Sequence, residues 1–529
     1  NSPYLDYLLA QIEEVLRNYD ADGIFLDICG VRWCHCSYCI DSVKKQGKDP
    51  ADIANMAEMG EKTYANYTKR VKELIHGIKP GMPIFHNGGH ILRGRRDFAY
   101  MNTHLELESL PTGGWGYDHF PLSARYVENL GLDYLGMTGK FHTTWGEFGG
   151  FKHPNALKYE TALSIANGAR CSIGDQLHPT GFMDPATYEL IGSAYSEIEK
   201  KEQYCVDTAN IADIALLSVE AAQVSGYIKN TDEHTGRSDV GAARMLLEGK
   251  YLFDVVDTEN DFKRYKVLIL PDHIRVCGQL KDKIADFINS GGKMLATGES
   301  GIDDTGFAID FGVKWLGANP YRPDYCKPHF KLNNIGDTSF VIYSQGQKIE
   351  TTGAAVLATR ENPYFNREKN MFCSHQHTPN SHESGGPGMT ESPYGIYIAW
   401  NVFEEYATKG SFILREIVSY ALDRLLGERK TISTNLPAQG IVTLRHQQHK
   451  NRYINHLLYA SPVKRGEGIE VIEDILPLYD IRVKVRIPHK VKKVYIAPDI
   501  QSIEFSQTGD LVAFTVPKIW CHSMVVVEC

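Results

Sequence analysis

The stretch that decides the fold is DGIFLDICGVRWCHCSYC, residues Asp22 to Cys39. It follows an amphipathic helix and begins with a short apolar strand, Gly23 to Leu26, that ends on the carboxylate of Asp27. A strand of this kind within a helix–strand alternation is typical of a buried parallel strand, and catalytic groups of (β/α) barrels lie at such strand ends. Two interpretations of Asp27 follow: a catalytic carboxylate, or a residue that only caps the next loop.

The same alternation continues to about residue 205. Further apolar strands are predicted at Met82 to Phe85, Thr103 to Glu108, Leu132 to Met137 and Ala169 to Ile173, each followed by a polar or aromatic loop and a helical stretch. A closed (β/α)8 barrel needs eight strands, and the pattern contains only five. The pattern predicts either an open sheet or strands 4–8 of a TIM barrel. The start inside a helix, without Met, favours a barrel that lacks its first three βα units.

Two other patterns follow along the chain. Buried strands that include Val267 to Pro271 and Met294 to Ser300, separated by a helix ending at Gly291-Gly292, predict a doubly wound α/β domain. From Lys430 onward, alternating strands with turn signals predict a small antiparallel β domain. The predicted domains are residues 1–205, the C-terminal part of a catalytic barrel; 206–428, an α/β domain; and 429–529, a β-sandwich-like domain.

The bulk composition limits the function classes. The 529 residues are 43% hydrophobic and 23% charged, and the formal net charge is -9, so a nucleic-acid or anionic-membrane partner is not expected. No apolar run reaches the roughly 18 residues of a membrane span. The 11 cysteines are odd in number and widely spread, which favours reduced thiols and a cytoplasmic location.

The strand THLELES concentrates ionisable groups on one face. Period-two alternation places His104, Glu106 and Glu108 together, while Leu105 and Leu107 take the face towards the helices. The other predicted strand ends add carboxylate, imidazole, amide and indole groups. The candidate substrate-binding residues are His86, Asn87, His104, Trp115, Tyr117, His142, Trp145, Glu147, Asp175, Gln176 and His178.

Such a ring of side chains suits a carbohydrate, because sugars need polar groups for their hydroxyls and aromatic faces for their C–H patches. Glycoside cleavage needs two carboxylates across the scissile bond. One is ionised and the other is protonated, with a raised pKa, to assist the leaving group. The residues therefore predict a glycoside hydrolase with no cofactor required for catalysis.

The cysteines Cys34, Cys36 and Cys39 form a CxCxxC motif whose spacing is able to hold a structural Zn²⁺. A structural site has four ligands, and Cys29 or a residue outside this sequence would supply the fourth. The alternative is three reduced thiols in a loop. The segments Gly291-Gly292 and TGESG lack the spacing of a phosphate-binding loop, so nucleotide binding is not expected.

At this point the chain resembles a known family. NSPYLDYLLAQIEEV, DGIFLDI with CxCxxC, HLELESLPTGGWGYDHFP, LGMTGKFHTTWGEFGG and NGARCSIGDQLHPTGFMDP together resemble bacterial α-L-fucosidases of glycoside hydrolase family 151. FKRYKVLILPDHIRV and INSGGKMLATGESG resemble the trimerisation domain of β-galactosidases, which implies a flavodoxin-like middle domain and a homo-oligomer, with a trimer favoured. RYINHLLYASPV and VIEDILPLYDIRVKVRIP resemble the group's C-terminal β domain.

The resemblance also implies roles. Asp27 matches the nucleophile position of family 29 fucosidases. In those fucosidases a Glu precedes a loop similar to Trp115-Gly116-Tyr117 of this chain, so Glu106 or Glu108 matches their general acid/base. The CxCxxC motif resembles the zinc cluster of family 42 β-galactosidases. The implied activity is that of a retaining, exo-acting α-L-fucosidase on a fucosylated or related oligosaccharide.

Two alternatives remain open. A β-galactosidase-like enzyme would need a Glu nucleophile on the seventh barrel strand, for which Glu147 is the only candidate. A non-catalytic carbohydrate-binding or assembly protein is the other. The polar segment Ser374 to Gly395 is predicted as a mobile surface loop. In a trimer, His375 and His377 would instead lie near a neighbour's barrel mouth.

Overall fold

The computed structural model describes residues 1–229, 235–333 and 335–529. Along this part of the chain, an arc of parallel strands is followed by a mixed sheet flanked by helices and then by antiparallel sheets. Among the described residues, none of the helices has both the length and the apolar character that a bilayer crossing requires. All eleven cysteines lie within the described ranges and are free.

The five strands predicted for the first part of the chain are present. They are β1 (Ile24–Leu26), β2 (Ile84–His86), β3 (His104–Glu108), β4 (Asp133–Gly139) and β5 (Arg170–Gly174). The helices of this part are α1 (Tyr4–Asn18), α2 (Ser37–Lys45), α3 (Ile53–Ile78), α4 (Arg96–Ala99), α5 (His119–Val127), α6 (Pro154–Ala166) and α7 (Pro185–Glu199). Strand β1 pairs in parallel with β2, and β3–β4–β5 form a second parallel ladder. The predicted βα repetition is confirmed.

The alternation of side chains fixes which face of each strand points to the helices. Ile24 and Ile84 pack into one cluster with residues of α1 and α3. Leu105 and Leu107 are buried in the main core. The opposite face carries Phe25, Phe85 and the ionisable residues of β3, as the alternation predicts.

The middle region is built on a nine-stranded mixed sheet. In chain order, the strands and helices of this region are β6 (Ala209–Asn210), β7 (Ile214–Leu217), α8 (Val219–Val224), α9 (Arg237–Glu248), β8 (Phe253–Val256), β9 (Val267–Leu270), α10 (Gly278–Asn289), β10 (Lys293–Thr297), β11 (Val313–Ala318), β12 (Asp324–Pro328), β13 (Phe340–Ile342), β14 (Gln347–Thr351), β15 (Ala355–Pro363), β16 (Asn380–Ser392), β17 (Gly395–Ile398), α11 (Val402–Lys409) and α12 (Phe412–Leu426). They include β11 and β14, which form a separate two-stranded ladder, and the short strand β6 before the sheet. Strands β8, β7, β9, β10 and β17 are parallel, and β16, β15, β12 and β13 extend the sheet in antiparallel fashion.

The prediction of a loop over Ser374 to Gly395 is wrong for most of this segment. Strand β16 occupies Asn380–Ser392 and pairs with β15 and β17. Its pairing with β15 is interrupted by several register shifts, and His382 and Gly386 have positive φ values of 62° and 96°. Such bulges accept the Gly, Ser and Pro residues that ordinarily indicate a turn, which hides the strand in the sequence.

The C-terminal region is antiparallel, as predicted. Its strands are β18 (Ile432–Thr434), β19 (Ile441–Gln447), β20 (Arg452–Tyr459), β21 (Val463–Gly466), β22 (Ile469–Val471), β23 (Leu478–Arg486), β24 (Lys493–Ala497), β25 (Gln501–Ser502), β26 (Phe505–Thr508), β27 (Leu511–Ile519) and β28 (Cys521–Glu528). They form sheets in the orders β18-β23-β27-β26 and β25-β24-β28-β20-β19-β6, with the hairpin β21-β22 apart. Strand β6 thus precedes the middle sheet along the chain but pairs with the C-terminal one.

A pair of buried imidazoles joins two strands of the C-terminal sheet. His456 Nδ1 on β20 lies 3.1 Å from His522 Nε2 on β28, and the two rings are stacked. Lys201 Nζ, at the end of the barrel region, is 3.4 Å from the other nitrogen of His522. Burial, together with the positive charges of Arg445 and Lys201, lowers the pKa of His456 to about 3. Burial and Lys201 also lower the pKa of His522.

This pair predicts an acid-sensitive fold. In the unfolded chain both imidazoles bind protons below pH about 6.5, whereas the folded protein keeps them neutral to lower pH. The unfolded state therefore binds more protons, and the free energy of unfolding decreases as the pH falls below about 6.5, by up to about 1.4 kcal/mol per pH unit for each imidazole. Urea unfolding followed between pH 7.5 and 5 measures the slope. His456→Gln combined with His522→Gln should flatten it, and equal slopes in both proteins would contradict the assignment.

Candidate active site

Two carboxylates at the strand ends share one amide donor. Asn87 Nδ2 donates to Asp27 Oδ1 at 2.9 Å and to Glu108 Oε1 at 2.8 Å. Asp27 and Asn87 directly follow β1 and β2, and Glu108 is the last residue of β3. Three neighbouring strands of the arc therefore bring their carboxyl ends to one point, as barrel strands do.

The bridging amide is held in a fixed orientation. Asn87 Oδ1 accepts a hydrogen bond from the backbone N–H of Gly89 at 3.0 Å, so Nδ2 is the end that faces the carboxylates. The Asn87 backbone donates to Leu26 O and accepts from Cys29 N, which extends the β1–β2 ladder past Asp27. Asn87 is 6% exposed. This environment fixes the distance between the two carboxylates.

That distance is informative about chemistry. Because Asp27 Oδ1 and Glu108 Oε1 both lie within 2.9 Å of Asn87 Nδ2, these two oxygens are no more than about 6 Å apart. Retaining glycosidases place their carboxyl groups about 5–5.5 Å apart, whereas inverting enzymes need about 6.5–9.5 Å to admit a water. The pair therefore has room for direct attack by one carboxylate and proton transfer by the other.

The backbone directly after Asp27 is strained. Ile28 has a φ of 52° and its side chain is 80% exposed. A β-branched residue avoids this left-handed region, at a cost of about 1–3 kcal/mol. Backbone strain of this kind is concentrated at functional sites, and here it turns the chain between Asp27 and Cys29.

The structure distinguishes between Glu106 and Glu108, the two acid/base candidates between which the sequence does not decide. Glu106 lies one side-chain position earlier on the same face of β3 and accepts a hydrogen bond from His104 Nε2 at 2.9 Å. Glu108 alone of the two shares the Asn87 amide with Asp27. The geometry thus pairs Asp27 with Glu108 and places the His104–Glu106 pair below them.

Two predicted sugar contacts lie behind the strands. His86 is 4% exposed and shares the helix-facing side of β2 with Ile84; its Nδ1 is 3.0 Å from Asn102 Oδ1, and its ring packs edge-on against Tyr67. Burial lowers the pKa of this imidazole. The ring therefore has no access to a sugar at the strand ends, because the period-two alternation turns it away.

Tyr117 is the second. It is also buried, its hydroxyl donates to Glu160 at 3.4 Å, and its ring packs edge-on against Tyr159. Burial and the Glu160 carboxylate raise its pKa. Trp115, two residues earlier, is part-exposed and contacts the ring of His119, so of this loop's two predicted aromatic contacts only Trp115 remains accessible.

The Glu147 carboxylate binds the backbone of its own loop. It accepts hydrogen bonds from the backbone N–H groups of His142 and Thr143, the latter at 2.9 Å. A carboxylate that caps a loop in this way is not positioned as the partner of a second carboxylate. This observation counts against Glu147 as a nucleophile.

The remaining candidates lie at the ends of β4 and β5. Asp175 forms an ion pair with Lys140 at 3.6 Å, and Trp145 packs edge-on against Phe141 beside Gly174. Gln176, His142 and His178 are exposed; His178 Nδ1 is 2.8 Å from Thr180 Oγ1. Lys140, which directly follows β4 and is not among the candidate substrate-binding residues, is buried at this strand end.

The CxCxxC motif forms a compact group. The Sγ atoms of Cys34, Cys36 and Cys39 lie within 4.8 Å of one another, which fits three ligands around one Zn²⁺ at about 2.3 Å each. Hydrogen bonding from the Cys39 backbone lowers the pKa of the Cys36 thiol, whereas burial and the two neighbouring thiols raise the pKa of Cys39 to about 11. Of these two cysteines, Cys36 is therefore the one that more readily forms the thiolate that metals bind. Cys29 is not part of the group, because its Sγ lies 3.3 Å from Tyr67 Oη and from Leu26 O.

Comparisons with known proteins identify a domain model and solved structures that are similar to this chain. Residues 244–314 match the model of the β-galactosidase trimerisation domain. α-L-Fucosidase isoenzyme 2 from Paenibacillus thiaminolyticus has a solved structure with 57% sequence identity and a TM-score of 0.97, covering 100% of this chain and 80% of that one. No curated protein sequence matches the chain.

Solved β-galactosidases are similar in fold. A GH42 β-galactosidase from G. stearothermophilus has 13% identity and a TM-score of 0.68, covering 100% of this chain and 82% of that one. The β-galactosidase from Bacillus circulans sp. alkalophilus has 12% identity and a TM-score of 0.67 with the same coverage. At these identities the likeness concerns the fold alone, a TIM barrel followed by a trimerisation domain and antiparallel sheets.

Proposed function

The chain belongs to the family of α-L-fucosidase isoenzyme 2 from Paenibacillus thiaminolyticus, and from this premise we propose that it is a retaining, exo-acting α-L-fucosidase that releases L-fucose from glycans. The observation that carries the proposal is the Asn87 amide shared by Asp27 and Glu108. Two carboxylates at this separation are what a double-displacement glycosidase requires.

In the proposed mechanism Asp27 attacks the anomeric carbon while Glu108 donates its proton to the glycosidic oxygen. The leaving glycan departs as an alcohol, and the sugar stays bound to Asp27 as an ester. Glu108 then removes a proton from water, which attacks the anomeric carbon and frees the Asp27 carboxylate. Asn87 is a positioning residue that keeps the two carboxylates apart and oriented.

The sugar itself would be held by side chains around this pair. We assign that role to His104 on β3 and to Trp115, His142, Trp145, Asp175, Gln176 and His178 in the loops. The exposed aromatic faces suit the C–H patches of a fucose ring, and the polar groups suit its hydroxyls. No cofactor takes part in these steps.

The substrate class is tested with nitrophenyl glycosides. The full-length protein should hydrolyse nitrophenyl α-L-fucoside, with turnover of nitrophenyl β-D-galactoside and α-L-arabinoside lower by at least about a hundredfold, since a site built around specific hydroxyls rejects sugars that leave its polar groups unpaired. A higher rate on the galactoside would overturn the proposal. Binding of fucose without any turnover would support the non-catalytic alternative.

We expect a structural zinc at the cysteine group, with a fourth ligand supplied from outside Cys34, Cys36 and Cys39. Elemental analysis of the reduced protein should give about one Zn²⁺ per chain, and Cys34→Ser with Cys36→Ser should remove it and lower the melting temperature. Cys277→Ser, at an exposed cysteine outside the group, is the control and should leave the zinc content unchanged. Reduced protein free of metal would contradict this prediction.

The match of residues 244–314 to a trimerisation domain leads us to propose a homo-oligomer, with a trimer favoured. Multi-angle light scattering of the full-length protein should give three chains per particle, and a monomer at all concentrations would contradict this. Of the two histidines proposed near a neighbour's barrel mouth, His377 packs edge-on against Tyr343 of its own domain, whereas His375 is exposed.

The domain division at residues 205/206 and 428/429 and the cytoplasmic location also stay proposals. The division is supported by the separate sheets of the middle and C-terminal regions, although β6 of the middle region pairs with the C-terminal sheet. The location is supported by the eleven free cysteines.

A further inference from the structure

A second concave site lies between the barrel region and the C-terminal region. This cleft has a volume of about 620 Å³ and is lined by the loop after β4, by α6 and α7, and by the segment Val471 to Glu473. Ligand sites of about 300–1,000 Å³ occur preferentially where domains meet. The cleft lies outside the Asp27–Glu108 pair and includes neither carboxylate.

The walls of the cleft combine apolar and polar groups. Leu190 and Ile472 are buried in its lining, and the ring of Phe151 is 41% exposed. Lys158 and Glu189 contribute one charge of each sign, and the other two charged groups of the lining are paired, Lys152 with Glu160 and Glu473 with Arg465. An exposed aromatic ring together with groups that both donate and accept hydrogen bonds suits a neutral, polyhydroxylated ligand better than an anion or a cation.

The C-terminal side of the cleft contacts the barrel directly. Asn155 Nδ2 at the start of α6 donates to Glu473 O at 2.6 Å, and the Glu473 carboxylate pairs with Arg465 at 2.8 Å. Strand β22 packs against the turn Pro111–Gly113, which follows β3. These contacts hold the C-terminal wall of the cleft beside α6 and the Pro111–Gly113 turn.

One loop connects the cleft to the candidate active site. Lys140 begins this loop, pairs with Asp175 at the strand ends and places its ammonium 4.7 Å from the centre of the Phe151 ring. His142, in the same loop, also lines the cleft. A ligand at Phe151 thus touches the segment that shapes the mouth of the active site.

We propose that this cleft is a saccharide-binding subsite for the part of the glycan that lies beyond the fucosyl bond. The inference rests on the proposed function and deepens it, because it assigns the recognition of the leaving saccharide to a surface that the C-terminal domain helps to build. Phe151 supports the sugar ring, and Glu189 and Lys158 bind its hydroxyls.

Two kinds of measurement test the subsite. With 2′-fucosyllactose, Phe151→Ala and Glu189→Ala should each raise KM about tenfold, while kcat changes less than twofold. Phe151→Ala removes the aromatic face under the sugar ring, and Glu189→Ala removes a charge-assisted hydrogen bond from a sugar hydroxyl. With α-L-fucosyl fluoride, whose leaving group is a single fluoride and occupies no subsite, both variants should equal the wild type. Glu199→Ala, at an exposed glutamate on the same helix outside the cleft, should change neither.

Lactose binding separates this inference from the proposed function. Saturation-transfer NMR on wild-type protein should detect lactose, which carries no fucose, and Phe151→Ala with Glu189→Ala should remove the signal. This outcome would support the subsite even in a protein without fucosidase activity. Equal KM increases on both fucosides, unchanged KM on 2′-fucosyllactose, or lactose binding that survives both substitutions would each overturn it.

Discussion

Asp27→Ala should reduce turnover of nitrophenyl α-L-fucoside by at least about 10⁴-fold, because removal of a residue that forms the covalent intermediate costs rate of this order. The alanine leaves space beside the anomeric carbon, so added azide should restore part of the rate and yield a fucosyl azide. The loss should appear in kcat, since Asp27 acts on the reacting atoms.

Asp22→Ala is the matched control, since this exposed aspartate lies at the start of the same strand segment and outside the site. It should have wild-type kinetics. Near-normal activity of Asp27→Ala would remove Asp27 from the mechanism and with it the pairing through Asn87.

Glu108→Ala should lower kcat/KM on 2′-fucosyllactose by about 10²–10⁴-fold, the usual contribution of general acid catalysis. Its effect on a dinitrophenyl fucoside should be much smaller in the first step, because that leaving group departs without protonation. The measurement is a plot of log(kcat/KM) against leaving-group pKa, which should be steep for Glu108→Ala and shallow for the wild type.

Glu106→Ala is the comparison that the structure offers, since it removes a carboxylate from the same face of the same strand. Its partner is His104 rather than Asp27, so we expect its effect to be independent of the leaving group. If Glu106→Ala and not Glu108→Ala shows the steep dependence, the assignment has to be exchanged.

Much of the fold follows from the sequence alone. The five βα strands were predictable because each is a short apolar run between helical patterns, and the antiparallel C-terminal sheets because their strands alternate. The resemblance to bacterial α-L-fucosidases is confirmed by a relative with 57% identity. Strand β16 was not predictable, because its bulges carry residues that are typical of turns.

The candidate site was predictable only in part. Alternation places Glu106 and Glu108 on one face of β3. The same alternation along β2 places His86 on the helix-facing side with Ile84, so its buried position was also predictable. The choice of Glu108 as the partner of Asp27 depends on the spacing between strands that are distant in sequence. That spacing is a tertiary property, so a single sequence contains no signal for it.

The buried position of Tyr117 is a similar case. Its loop contains Trp115, Gly114 and Gly116, and both glycines have positive φ values of 90° and 78°. These turns direct Trp115 outwards and Tyr117 into the core beside Tyr159. Glycine marks the turns in the sequence, but the direction in which each aromatic residue leaves them depends on packing.

The most direct test of the central claim is to trap the glycosyl-enzyme. The full-length protein is incubated with 2-deoxy-2-fluoro-fucosyl fluoride, digested, and analysed by tandem mass spectrometry. The account predicts one labelled peptide, with the fluorosugar esterified to Asp27, and faster loss of the label in wild-type protein than in Glu108→Ala. A label on any other residue, or a protein that turns over fucosides and never accumulates a labelled peptide, would contradict it.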